Sequence, residues 1–152
     1  MLFRSATVAR RFGLRDEGVT SMHDATEGGV IGGLTEVAAA SGVGMRIELD
    51  AIPVPAAARA VCDHVGIDPY ISISEGTLIA TVVPGRADAF VAALASEGID
   101  AAVVGTVTDA AAGMVLVTAA GERPLEHPGL DPAHALTSRR RTAWKGRPTW
   151  LA

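Results

Sequence analysis

The 152-residue sequence has a single cysteine, Cys62, so no internal disulfide is available and a reducing, cytoplasmic setting is expected. It has no apolar run approaching the ~18–20 residues of a membrane-spanning helix, so no membrane partner is expected. The start, Met1 to Gly13, carries Arg4, Arg10 and Arg11 but no apolar stretch of the kind a secretory signal needs. No internal repeat is evident. Acidic side chains are missing from one region. Residues 139–152 hold five basic and no acidic side chains, a net +5, whereas residues 1–138 hold eight basic and seventeen acidic, a net −9. An acidic body argues against nucleic acid as the main partner.

The remaining composition is that of a folded chain. Hydrophobic residues make up 49% and the mean hydropathy is +0.31, enough for one domain with a real core. Residues 5–12 fit a short helix stopped near Gly13. Val19 to Met22 reads as a strand, followed by a polar turn at His23, Asp24 and Thr26. A helix is expected from about Thr26 to Ala40, ended by Ser41-Gly42. Met45, Ile47 and Leu49 alternate with Arg46, Glu48 and Asp50, the mark of a half-buried strand. Pro55 opens a helix through Val65 whose apolar positions are Ala58, Val61 and Val65. After a loop from Ile67 to Thr77, the apolar run Leu78 to Val83 suits a central strand. A helix over 86–97, with Phe90, Val91 and Leu94 inward, precedes a strand from Asp100 to Val107. Met114 to Thr118 is expected as its hairpin partner. The fold class is therefore α/β (α+β), a sandwich of helices on one mixed β-sheet. Residues 119–136 read as loop with a short helix at Pro132 to Leu136.

Three features carry chemistry or an ordinary structural meaning. The strand, turn and helix around Gly28-Gly29 would present helix N-terminal N–H groups to an anion, with no Cβ in the way. Ordinary capping by Asp24 or Thr26 accounts for the same pattern, and Glu27 would repel a phosphate. Cys62 reads as a small core residue or, alternatively, as a nucleophile. The tail from Thr137, with Arg139, Arg140, Arg141, Trp144, Lys145, Arg147 and Trp150, reads as a solvated end, as residues foreign to the fold, or as a nucleic-acid contact.

The stretch Gly18 to Leu34, with its core Met22-His-Asp-Ala-Thr-Glu-Gly-Gly29, resembles the Gly-rich loop that opens the C-terminal domain of the AIR synthase superfamily. Ala40 to Gly44, Ile52 to Pro55, Gly66 to Pro69, Ser74 to Leu78 and Val104 to Val107 follow in the family's order. The resemblance covers roughly residues 14–130. It is nearest to AIR synthase-related and HypE-like proteins rather than to the purine enzyme.

The resemblance implies an AIR synthase C-terminal-domain-like α/β fold over 14–136, a remnant helix of a preceding element over 1–13, and a basic tail over 137–152. It implies an enzyme using ATP and Mg²⁺ to phosphorylate, and so activate, a small-molecule or carbonyl-oxygen acceptor. An N-terminal domain, fused or separate, would carry much of the ATP site and a homodimer contact, and this chain would be inactive without it. Carried over residue by residue, Thr26, Gly28 and Gly29 would hold phosphate, and Ser74, Glu75 and Gly76 would form a second loop approaching the first. Asp24 would bind the metal, and His23 and Asp24 are the catalytic candidates. A turn histidine satisfied by backbone and a solvated Glu75 are the ordinary alternatives. The HypE reaction uses a C-terminal cysteine, whereas this sequence ends Thr149-Trp-Leu-Ala152, so cyanide formation is not expected. The alternative function is a non-enzymatic ligand-binding or assembly module of the same fold.

Overall fold

The computed structural model describes residues 2–129 and Pro132. The elements run α1 (Leu2–Phe12), β1 (Val19–Ala25), α2 (Gly29–Ser41), β2 (Gly44–Glu48), α3 (Ala56–Val65), β3 (Thr77–Val82), α4 (Ala87–Ser96), β4 (Gly105–Thr108), β5 (Met114–Thr118) and β6 (Gly121–Pro124). The basic tail, and all but Pro132 of the helix expected at Pro132 to Leu136, lie outside the described residues.

Helix α2 is central to the larger core, packed against β1 and β3. Ile31, Leu34, Val37 and Ala38 are buried, and so are Gly32, Gly33 and Thr35, so it is apolar on nearly every side, as a core helix must be. Gly33 is there for close approach. A Cβ at that position would lie 2.7 Å from Ile79 Cδ1 and 3.3 Å from Ala25 Cβ. That lets β1 and β3 press against the helix. The helix ends as expected, with Gly42 in the left-handed region donating its N–H to the carbonyls of Ala38 and Ala39.

The α/β class holds, and the pairing is mixed: β2 runs antiparallel to β4 and parallel to β5. The strands do not form one sheet, however. β1 and β3 make a two-stranded antiparallel ladder, and the other four form a sheet in the order β4-β2-β5-β6. Leu78 to Val83 is thus not a central strand; its described partner is β1 alone. The expected β4–β5 hairpin is also replaced, because β2 lies between those strands. β4 is confined to Gly105–Thr108, shorter than the run from Asp100 suggested. β6 occupies residues read as loop, and Pro124 sits where a missing N–H is tolerated, on an edge strand.

Two apolar clusters hold these layers. The larger joins Ala25 and Ile79 of the ladder, the α2 residues, and Met45, Ile47 and Leu116 of the four-stranded sheet. The smaller joins Val8 and Ala9 of α1 to Phe90 and Leu94 of α4, with Val19 and Ile99. Phe12 and Phe90 rings lie 5.1 Å apart there, and Arg86 covers the Phe12 face at 4.6 Å. Among the described residues, no helix is long and apolar enough to cross a membrane.

Candidate functional site at the glycine turn

The ladder register decides which residues meet. Asp24 pairs with Leu78 and Ala25 with Thr77, so the segments leaving β1 and entering β3 lie side by side. The first carries Thr26, Gly28 and Gly29; the second carries Ser74, Glu75 and Gly76. They are joined directly, since Ser74 N–H donates to the Thr26 carbonyl at 3.3 Å and Thr77 N–H closes a turn onto the Ser74 carbonyl at 3.1 Å. Ser74 Oγ is buried and has no hydrogen-bond partner among the described residues.

His23 and Asp24 are not in a turn. Pairing with β3 continues through Ala25, which keeps both in β1. Consecutive strand residues face opposite sides of a sheet, so the two side chains diverge. His23 shares the α2-facing side with Ala25, and its Nε2 lies 2.7 Å from Glu36 Oε2 on α2. Asp24 is exposed on the other side. Glu36 is a site neighbour that the sequence reading missed. The signal was its place thirteen residues on, at the solvent-facing position of an otherwise apolar helix.

The helix begins later than expected, at Gly29. Its N-cap is Gly28 in the left-handed region (φ 77°), and no side chain caps it, so neither Asp24 nor Thr26 plays that part. Gly29 also has positive φ, 66°. A Cβ on Gly29 would lie 2.6 Å from both the Tyr70 and the Ser72 carbonyl oxygens, so only glycine fits against that loop. Three N–H groups at the turn have internal acceptors: Gly29 donates to Thr26, Ile31 to Tyr70 and Gly32 to Gly28, at 2.9–3.1 Å. An anion at this turn would have to replace or share those bonds.

A cleft of about 420 Å³ lies beside this turn, between α3 and the 69–77 segment. Ile52, Pro53, Pro55, Ala58, Cys62 and Tyr70 line it, together with Ser74, Glu75 and Thr77. His23 and Asp24 are not part of it. Cys62 is half-buried on this wall rather than in the core, and Val61 is 63% exposed, so α3 turns much of its apolar face outward. Arg59 ties α3 to the loop. Its Nη2 donates to Tyr70 Oη at 3.3 Å, and this bond raises the guanidinium pKa.

The donor set fits a bound Mg²⁺ only in part. Among the described residues, no group of three His, Cys, Asp or Glu side chains is placed to hold a metal. Asp24 and Glu27 are exposed carboxylates flanking the turn, the kind of one- or two-ligand contribution that Mg²⁺ accepts when phosphate and water complete its shell.

Residues 4–117 match the family described as AIR synthase related protein, C-terminal domain. The chain belongs to that family. Carbamoyl dehydratase HypE of Rhizobium leguminosarum bv. viciae is 42% identical over 88 residues, which cover 57% of this chain and 25% of that protein. The crystal structure of Escherichia coli HypE superposes with a TM-score of 0.72 at 35% identity, covering 86% of this chain and 40% of that one. A structure of HypE in complex with ATP gives 0.64 at 31% identity over 75% of this chain and 37% of that one. One of a HypE–HypF complex gives 0.71 at 28% identity over 84% and 41%. The chain spans between a quarter and about two-fifths of the length of these relatives.

Proposed function

We propose that this chain is the C-terminal part of an ATP-dependent, HypE-like enzyme. It contributes the glycine turn and the Ser74–Gly76 loop to a nucleotide site completed by an N-terminal domain. The observation that carries this reading is the likeness to HypE in complex with ATP, joined to the meeting of the two loops at Thr26 and Ser74. The reaction is ATP-driven activation of a carbonyl-type oxygen on a small-molecule acceptor, in line with the carbamoyl dehydratase relatives. Thr26, Gly28 and Gly29 take phosphate oxygens after a rearrangement of the turn's internal bonds. Asp24 supplies one Mg²⁺ ligand, with Glu75 on the second loop and His23 on β1 as the further polar groups of the site. The working form is a homodimer in the cytoplasm. The chain alone is inactive, and adding the N-terminal domain of a HypE relative is expected to yield Mg·ATP hydrolysis or phosphoryl transfer that neither part shows alone. Absence of turnover with every such domain tried would count against the enzyme reading.

One feature favours a second reading. Three of the turn's N–H groups, those of Gly29, Ile31 and Gly32, are already engaged within the chain, which suits a binding or assembly module that no longer handles nucleotide. A HypF-like protein is the partner this reading proposes. Mg·ATP-independent association with such a protein, together with no turnover in the mixture, would support it.

A further inference from the structure

The cleft between α3 and the 69–77 segment follows from the composition of α3. Four of the helix's first five residues are alanine, with Arg59 the exception, and none of its residues is buried. Ala58 and Cys62 face the cleft one turn apart, and side chains this short leave the space between the two walls unfilled. Arg59 is long enough to span it. Its Nη2 donates to Tyr70 Oη at 3.3 Å, and the guanidinium carbon lies 5.8 Å from the centre of the Tyr70 ring. Tyr70 itself lines the cleft.

The polar groups around this space are few and of different kinds. Among the described residues, no carboxylate lies within ion-pair distance of Arg59. Its bond to Tyr70 leaves most of its N–H donors available. Ser74, Glu75 and Thr77 supply the other polar groups, and the Ser74 N–H bond to the Thr26 carbonyl sets them against the glycine turn. The wall formed by Ile52, Pro53 and Ala58 is apolar. An apolar cleft of about 420 Å³ with a few polar groups is the form that small-molecule sites take. A guanidinium without a carboxylate partner selects a carboxylate, which it can meet with two parallel N–H···O bonds. Glu75 accepts hydrogen bonds, so a group beside it is favoured when it carries N–H donors.

We propose that this cleft binds the acceptor, and that the acceptor is a small carboxamide that also carries a carboxylate. The carboxylate pairs with Arg59 beside Tyr70 Oη, the apolar middle lies against the Ile52–Ala58 wall, and the amide N–H groups donate to Glu75 next to the glycine turn. The acceptor role rests on the carbonyl-activation reading above; the binding of an anionic carboxamide rests on the cleft and on Arg59.

The probe is 4-carbamoylbenzoate, a flat carboxamide with a carboxylate at its other end; benzamide, which lacks the carboxylate, is the control. Cys62 gives the readout, because it is the one cysteine of the sequence and it lines the cleft. The full chain, without nucleotide, is alkylated with N-ethylmaleimide at increasing probe concentrations, and amide shifts are followed in parallel at Ala58, Tyr70 and Thr77. 4-Carbamoylbenzoate is expected to protect Cys62 and to shift those amides, and benzamide at the same concentrations to protect far less. Arg59 is exposed, so replacing it spares the core. Arg59→Ala is expected to raise the half-protecting concentration at least about tenfold, as loss of a charged hydrogen-bonded pair does. Arg59→Lys, which keeps the charge but loses the planar fork, is expected to fall between. No protection and no shifts in wild type at millimolar probe would overturn the site. Equal binding by wild type and Arg59→Ala, or equal protection by the two probes, would overturn its choice of an anion. Turnover of Mg·ATP after addition of the N-terminal domain scores the enzyme reading separately. Binding in the cleft without such turnover keeps the site and removes its acceptor role, whereas turnover with an acceptor that leaves Cys62 unprotected removes this proposal and keeps the enzyme reading.

Discussion

At the level of single residues, the glycines of the turn and those of the helix ends do different work. Gly29 and Gly42 have nearly the same positive φ, 66° and 64°. A Cβ at Gly42 would meet nothing within 4 Å, whereas one at Gly29 would press into two carbonyl oxygens. Gly42→Ala should therefore cost only the left-handed backbone penalty, about 1 kcal/mol. Gly29→Ala adds main-chain overlap that no rotamer relieves, and should cost at least about 3 kcal/mol. Urea denaturation of the two variants tests this, and equal losses would mean that the 70–72 loop yields easily. The comparison also bears on function. Glycine at 29 is explained by packing alone, so its presence in the sequence is not by itself a sign of phosphate. That is why the pattern read from the sequence left capping, anion binding and simple fit all open.

Elements differ in how well the sequence announced them. β2 and α4 were legible because each carries a clear period: buried Met45 and Ile47 alternate with polar neighbours, and Phe90 and Leu94 lie one turn apart; α2 was legible from its apolar run between the Gly28-Gly29 turn and the Ser41-Gly42 stop. Pairing was less legible. β2 joins β5 in parallel across nearly seventy residues, and no local pattern distinguishes that from a β4–β5 hairpin. The candidate site followed the same division. The two loops could be named from sequence, but the opposite facing of His23 and Asp24 depended on β1 extending to Ala25, and the role of Glu36 depended on packing. α3 shows the limit of periodicity. Its Val61 and Val65 recur at core-like spacing, yet both are exposed. Val61→Ser should change stability by no more than about 0.5 kcal/mol. Leu116→Ala, at a side chain 2% exposed, should cost about 2–5 kcal/mol. A large loss from Val61→Ser in thermal denaturation of the isolated chain would mean that α3's outward face is covered in solution.

Across the whole molecule, the β1–β3 ladder is the member common to both clusters. Val19, Ala80 and Val82 face the α1–α4 side, while Ala25 and Ile79 face α2. Opposite faces of the same two strands thus belong to different cores, and neither core can lose its packing without exposing one face of the ladder. Small domains of this size usually unfold in one step, and the shared ladder gives that cooperativity a physical route here. The smaller cluster is the weaker partner, since it is built on two helices and a few strand residues. Phe90, 4% exposed, is its largest buried side chain, and Phe90→Ala should cost about 3–5 kcal/mol. That is a large share of the roughly 5–15 kcal/mol by which folded proteins exceed their unfolded states. If the ladder couples the cores, Phe90→Ala and Leu116→Ala will each lower a single transition, and amides in α1 and α2 will lose protection in parallel. If α1 and α4 instead exchange early in Phe90→Ala while α2 keeps its protection, the two clusters are separate folding units and the ladder is only their boundary.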